Sequence, residues 1–133
     1  MAAIQTTYFG DLRTEATHTE SGTKVATDGP KDLHGKGESF SPSELFLASL
    51  SSCMLSCMGI AAKTHHINID GATCEANKTM LSHPRRIDEL FISFNFPEKY
   101  TLKEQKVLEA AAYRCPISLS LHPDLRKTVA FNW

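Results

Sequence analysis

The amino-acid sequence predicts an α+β protein whose sheets are antiparallel. Segments with the alternating pattern of strands come in groups, before and after a long apolar helix, and do not alternate one by one with helices. The chain has 133 residues, which is enough for one domain with a modest core and too few for two ordinary domains. We therefore predict a single α+β domain over residues 1–133.

The long helix has the clearest local signals. Ser41 is a good N-cap, Pro42 occupies the first helical position, where its missing N–H costs nothing, and Glu44 can complete a capping box with Ser41. Apolar residues then occupy nearly every face as far as Ala62, which is typical of a buried helix. At 1.5 Å per residue the helix is about 33 Å long, so we expect it to run through the centre of the domain.

The strands are predicted from alternating runs that end at glycine, proline or Asp-Gly turns. The predicted strands are residues 4–9, 11–18, 23–27, 66–80 (with a bend at residues 70–71), 87–96 and 128–133. Residues 28–39 are rich in glycine and are predicted to form a loop. Thr101 and Glu104 form a second capping box that opens a helix to about Arg114, and a short helix begins at Pro116.

Charge and composition exclude several classes of partner. The formal net charge is -1 and the pI is about 6.6, so there is no electrostatic argument for nucleic acid or a membrane surface. Residues 1–11 contain no basic segment followed by an apolar run, so no secretory signal is expected. Residues 45–62 are apolar enough to raise the question of a membrane span, but they contain several serines, and we interpret them as a buried helix. The four cysteines are then expected in the cytoplasm, where thiols are reactive, metal-bound or packed.

Two cysteines occupy positions that suit thiol chemistry. Cys53 lies in the middle of the long helix, and Cys115 lies directly before Pro116, where a helix N-terminus and the neighbouring Arg114 both favour a thiolate. A thiolate in an apolar pocket can attack the outer oxygen of a hydroperoxide, and the resulting sulfenic acid condenses with a second thiol. Free cysteine is also among the most commonly buried residue types, so simple packing is the alternative for both residues.

The residues around these cysteines resemble the two motifs of the OsmC/Ohr family of organic hydroperoxide reductases. Residues 41–53, SPSELFLASLSSC, resemble the family's motif at the start of the central helix, and Cys115-Pro116-Ile117-Ser118 resembles its second motif. The order of elements also matches over nearly the whole chain, including Gly71 after the central helix.

The resemblance implies a fold and a mechanism. It implies an intertwined homodimer in which antiparallel sheets wrap around two central helices, with active sites at the dimer interface. Cys53 would be the peroxidatic thiol and Cys115 the resolving thiol of an enzyme that reduces organic hydroperoxides, and hydrogen peroxide as an alternative substrate, in oxidative-stress defence. No bound cofactor is implied. The reductant would be an external dithiol, such as the dihydrolipoyl group used in the Ohr branch.

The sequence departs from the best-studied branches at one position. In those branches a carboxylate directly follows the proline and pairs with an arginine that holds the thiolate, whereas here Ser43 follows and the carboxylate is Glu44. Glu44 has a sufficient structural role in the capping box, and its catalytic role is an alternative. Arg13 is the candidate for the thiolate-stabilising arginine, with a solvated surface position as the other interpretation.

Two other functional classes stay open. The Ser43 departure is compatible with a non-catalytic small-molecule binding protein on the same dimeric fold, and a thiol redox sensor would use the same disulfide to signal to a partner. Cys57 lies one helical turn from Cys53 and could resolve the sulfenic acid or form half of a metal site, but we favour core packing, as for Cys74. The cysteine and histidine spacings do not support zinc, so no metal is expected.

Overall fold

The computed structural model describes residues 2–133, which form two compact units. One unit reaches as far as Phe46 and the other is Leu47–Trp133. Each unit contains one three-stranded sheet, and the boundary between them falls inside the long helix. The mixture of two sheets with helices confirms the predicted α+β class, while the single domain over residues 1–133 stays a prediction.

The first unit contains an antiparallel sheet in the order β1-β2-β3. Its strands are β1 (Ile4–Gly10), β2 (Arg13–His18) and β3 (Lys24–Asp28). The prediction that the second strand begins at residue 11 is wrong, because Asp11 and Leu12 have φ angles of 55° and 60° and form the two-residue turn between β1 and β2. Paired left-handed residues match the twist of the flanking strands, which explains why the chain turns here.

The loop after β3 packs closely against the hairpin turn. The Gly29 N–H donates a hydrogen bond of 2.8 Å to the Leu12 carbonyl, and a 3₁₀ turn follows at Lys31–Leu33. A Cβ atom at Gly35 would lie 1.8 Å from the Gly29 carbonyl oxygen, so only glycine fits at this crossing of the backbone.

The long helix, α1, is Pro42–Thr64, and its predicted capping box is present. The Ser41 N–H donates to Glu44 Oε1 at 2.9 Å, and the Glu44 N–H donates to Ser41 Oγ at 3.2 Å. At the other end His66 adopts a φ of 57° and the Ile67 N–H donates to the Ala62 carbonyl at 2.8 Å. This left-handed reversal ends the helix in the manner usually provided by glycine.

Only one face of α1 is buried in the single chain. The buried residues follow a helical spacing: Leu47, Leu50, Met54, Met58 and Ala62. The expectation of a helix buried on all sides is therefore wrong for one chain, since its own elements cover a single stripe and leave Ile60 69% exposed. Among residues 2–133, α1 is the one helix whose length and apolar composition would suffice to cross a membrane.

The second unit contains the sheet β4-β5-β6 and two further helices. The strands are β4 (Thr73–Ser82), β5 (Arg85–Asn95) and β6 (Arg126–Asn132), and the helices are α2 (Leu102–Tyr113) and α3 (Pro116–Leu119). The first predicted strand of this unit is too long, because residues 66–72 form the helix exit and a turn in which Gly71 has a φ of 94°. The Thr101–Glu104 capping box at the start of α2 is confirmed.

The strand β6 corrects the expectation of purely antiparallel sheets. The pair β4 and β5 is antiparallel, but β6 runs parallel to β5, with Phe131 opposite Phe94. A parallel neighbour requires a long crossover, and α2 and α3 supply it.

The core of the second unit surrounds the site described below. The predicted alternation of β5 is confirmed, because Leu90, Ile92 and Phe94 are all buried. The largest fully buried side chains come from α1, β5, α2 and the segment before α3: Leu50, Met54, Met58, Leu90, Phe94, Leu108 and Cys115. One of the two predicted catalytic thiols is therefore part of the hydrophobic core.

Candidate functional site

Cys115 is completely buried at the start of α3. It is the N-cap residue, and its sulfur accepts a hydrogen bond of 3.2 Å from the Ser118 N–H. Burial raises the pKa of Cys115, and the hydrogen bond from Ser118 only partly opposes this. Loss of water around the sulfur therefore opposes the thiolate that the helix start and Arg114 are predicted to favour.

Cys53, in the middle of α1, is half-buried and lies between two other thiols. It neighbours both Cys115 and Cys57, and the proximity of Cys53 contributes to raising the pKa of each of these two thiols. Cys53 is therefore the central member of a cluster of three thiols.

Cys57 belongs to this cluster as well. Burial is the first cause that raises the pKa of Cys57, followed by Cys53, and the positive charge of Arg114 acts in the opposite direction. Its side chain is half-buried and also lines a surface cavity. The spacing of four residues already placed Cys57 on the same helix face as Cys53, but the preferred interpretation as packing overlooked this contact and the cavity.

Cys74 lies elsewhere, in β4 opposite Phe94. Burial raises the pKa of Cys74, in keeping with the packing role predicted for it. All four cysteines are free thiols, so the cluster of Cys53, Cys57 and Cys115 is in its reduced state. Three adjacent thiols can store two electrons and release them by forming one disulfide.

Arg13 is held in the first unit by two carboxylates. Its Nε lies 2.8 Å from Asp28 Oδ1, and its Nη2 lies 2.5 Å from Glu38 Oε2. The hydrogen bond to Glu38, and then that to Asp28, raises the pKa of Arg13 above its usual value. Asp28 is buried and also accepts a hydrogen bond of 2.9 Å from the Glu38 N–H.

The carboxylates that bind Arg13 differ from the one predicted from the sequence. The predicted partner was Glu44, whose carboxylate accepts the Ser41 N–H in the capping box, whereas Asp28 and Glu38 were not predicted. The pairing with Asp28 follows from strand register, because Arg13 and Asp28 are directly opposite each other in β2 and β3. Within residues 2–133 no three His, Cys, Asp or Glu side chains are grouped so that they could hold a metal ion.

Comparisons with known proteins agree on one family. The family model described as OsmC-like protein matches residues 35–129. A crystal structure of a proposed osmotic stress induced and detoxification response protein from Psychrobacter arcticus 273-4 is 42% identical, with 99% of this chain and 96% of that chain covered and a TM-score of 0.96. No curated protein matches the sequence significantly.

More distant structures share the fold. The organic hydroperoxide resistance protein OsmC of Legionella pneumophila, described as a predicted redox protein and regulator of sulfide bond formation, is 15% identical, with 100% of this chain and 98% of that chain covered and a TM-score of 0.78. The organic hydroperoxide resistance protein OhrB of Bacillus subtilis is 18% identical, with 98% of each chain covered and a TM-score of 0.73.

Proposed function

Because the chain belongs to the OsmC-like protein family, we propose that it is a thiol-dependent peroxidase that reduces organic hydroperoxides. The observation that supports this most is the proximity of Cys53 and Cys115, two thiols far apart in sequence whose side chains interact in the fold. Two of the structurally similar proteins are described as organic hydroperoxide resistance proteins, which agrees with the same chemistry.

The first step takes place at the Cys53 sulfur. The Cys53 thiolate attacks the outer oxygen of ROOH, the O–O bond breaks, and the departing alkoxide takes a proton and leaves as ROH. Cys115 keeps its proton because burial raises its pKa, so its S–H can donate to the Cys53 thiolate before the attack. The product is a sulfenic acid on Cys53.

The second step forms a disulfide. The Cys115 sulfur attacks the Cys53 sulfenic sulfur, an S–S bond forms, and the hydroxyl group leaves as water with the Cys115 proton. An external dithiol then transfers two electrons and two protons to restore both thiols, so no bound cofactor takes part. A reducing cytoplasm would supply such dithiols and keep the four cysteines free.

Arg13 and Glu44 complete the proposed site. Arg13 would stabilise the negative charge on Cys53, with Asp28 and Glu38 fixing its guanidinium. Glu44 would support this arrangement from the start of α1, where it also forms the capping box with Ser41.

The test is hydroperoxide consumption in the presence of dithiothreitol or dihydrolipoamide. We expect Cys53→Ser to abolish turnover and Cys115→Ser to stop at the sulfenic acid, which a dimedone-type probe would label. Cys74→Ser is the matched control, because it removes a thiol of similar burial in β4 and should keep turnover.

The other outcomes separate the competing functions. Oxidation of Cys53 by hydroperoxide without rapid recycling by either dithiol would indicate a redox sensor. A wild-type protein whose thiols stay free in excess hydroperoxide would contradict the peroxidase proposal and favour a binding protein.

A further inference from the structure

A lysine joins the short helix α3, which begins directly after Cys115, to the sheet of the second unit. The Lys127 ammonium group, on β6, donates a hydrogen bond of 2.9 Å from Nζ to Ser118 Oγ. Ser118 is 7% exposed, so its hydroxyl lies inside the unit and the charge reaches it from the edge of the three-stranded sheet. A hydrogen bond with a charged donor is stronger than one between neutral groups.

The strand register explains why Lys127 can reach this hydroxyl. Lys127 lies opposite Leu90 in β5, and residues that are paired across strands point to the same side of a sheet. Leu90 is buried, so Lys127 is on the inner face of the sheet together with Val129 and Phe131, which follow it at every second position. The bond to Ser118 therefore ties the inner face of β6 to α3.

Ser118 connects this lysine to the sulfur of Cys115. The Ser118 N–H donates to Cys115 Sγ at 3.2 Å, while Ser118 Oγ accepts from Lys127. Burial raises the pKa of Cys115, and the hydrogen bond from the Ser118 N–H lowers it. The Ser118 N–H is thus the donor that stabilises negative charge on the Cys115 sulfur.

A helix as short as α3 holds such a donor weakly by itself. It consists of the four residues Pro116–Leu119, and the first turn of a helix fixes several backbone dihedral angles in return for one hydrogen bond. Pro116 restricts the entry to the turn, and Cys115 is its N-cap. An anchor outside α3 is needed to keep the Ser118 N–H in one direction, and Lys127 supplies it.

We propose that Lys127 is a positioning residue for the resolving step, because its hydrogen bond to Ser118 keeps the Ser118 N–H directed at the Cys115 sulfur while this sulfur attacks Cys53. The inference rests on the peroxidase function proposed above and adds a residue that lies outside both cysteine motifs.

The resolving step depends on this orientation because charge develops on a buried sulfur. As the Cys115 sulfur attacks the sulfenic sulfur of Cys53, the S–S bond forms, the Cys115 S–H bond breaks, and the hydroxyl group leaves as water with that proton. A donor already in place at the attacking sulfur stabilises the charge at the moment it develops. A small displacement of the turn would remove both the donor and the alignment of the two sulfurs, at a large cost in rate.

The test separates the attack by Cys115 from the reaction of Cys53, and it uses no hydroperoxide. In a parent protein with Cys57→Ser and Cys74→Ser, the Cys53 thiolate attacks dithiodipyridine, a small neutral disulfide, and releases one absorbing thione. Cys115 then attacks the Cys53 sulfur of the mixed disulfide, releases the second thione and leaves the Cys53–Cys115 disulfide. We expect Lys127→Met to slow the second release about tenfold and to keep the first within about twofold.

Matched variants show whether the hydrogen bond causes this effect. Lys127→Arg keeps a charged donor of similar reach and should restore the second release to within about threefold of the parent. Lys78→Met removes the same charge from β4, where Lys78 also lies opposite Leu90 on the inner face, and should leave both releases unchanged. Ser118→Ala should act as Lys127→Met does, and the double variant should be no slower than either, because both changes remove one bond.

Several outcomes would overturn the role of Lys127. These are a parent protein without a second release, a second release that Lys127→Met leaves unchanged, equal slowing by Lys78→Met, and additive effects of Lys127→Met and Ser118→Ala. The peroxidase proposal fails separately, because a protein whose Cys53 is not oxidised by hydroperoxide contradicts that function, whereas the two thione releases report on Lys127 in either case.

Discussion

The complete burial of Cys115 determines how its thiol responds to pH. Burial raises the pKa of Cys115 in the folded protein, so its contribution to stability is fully present below the pKa of an unfolded cysteine, about 8.5, and is lost as the pH rises through the folded value. The free energy of unfolding of the reduced protein should therefore fall above this pH, by at most about 1.4 kcal/mol per pH unit from this group.

Urea unfolding between neutral and alkaline pH measures this effect. Cys115→Ser keeps a hydrogen-bond acceptor for the Ser118 N–H and removes the titrating thiol, so its stability should fall less steeply than that of the wild type. Other groups that titrate in this range, including Cys57 and Cys74, are common to both proteins and cancel in the difference. If the free energy of unfolding falls equally steeply with pH in the wild type and in Cys115→Ser, the pKa of Cys115 is not raised in the folded protein.

Arg13 has a structural role that must be separated from its proposed chemical role. Arg13→Gln leaves the buried Asp28 carboxylate without its cation, and we expect a loss of stability, seen as a lower urea midpoint. If Arg13 also stabilises the Cys53 thiolate, the same variant should lower the rate of Cys53 oxidation by about tenfold or more and raise the apparent pKa of that reaction.

Two controls make this prediction specific. Asp28→Asn disturbs the same ion pair but keeps the guanidinium, so it should lower stability and slow Cys53 oxidation less than Arg13→Gln does. Arg126→Gln removes an exposed arginine that pairs with Asp88 and Glu89, and it should affect neither quantity much. Wild-type oxidation kinetics in Arg13→Gln would end the proposal of a catalytic role for Arg13.

At the scale of elements, the sequence predicted what short-range interactions determine. Both capping boxes and the alternating burial of β5 are present, because a helix start and a half-buried strand are set by residues within a few positions of one another. The parallel direction of β6 was missed because it depends on how α2 and α3 return the chain to the sheet, which no local pattern encodes.

The candidate site shows the same division. The pairing of Cys53 with Cys115 came from the resemblance to a family, since nothing in the local pattern of either residue brings the two together. The helix period could have indicated that Cys53 and Cys57 are neighbours, but it could not indicate the raised pKa of Cys115, because the burial of Cys115 depends on tertiary packing.

For the whole molecule, the exposed apolar surface supports the predicted homodimer. The strand β1 is exposed along nearly its whole length, although an antiparallel sheet ordinarily packs one of its faces on a core. Large apolar side chains are exposed on β1, on the turn and loop segments that follow it, and on α1: Ile4, Tyr8, Phe9, Leu12, Leu33, Phe40 and Ile60. Much of the apolar surface of α1 is uncovered too, and a second copy of the chain is the partner that the family resemblance implies.

Light scattering coupled to size-exclusion chromatography should therefore give about twice the chain mass of 14.7 kDa. Phe9 is 65% exposed on β1 in the single chain, and we predict that the second copy covers it. Phe9→Lys would place a charge on that covered surface, so the protein concentration at which half of the dimer dissociates should rise by about tenfold or more. Leu102→Lys makes the same kind of change at a residue that is 75% exposed at the start of α2, outside the uncovered sheet, and should leave the midpoint unchanged. A wild-type mass equal to one chain at micromolar concentration would contradict the dimer, and with it the prediction that its active sites are completed at an interface between copies.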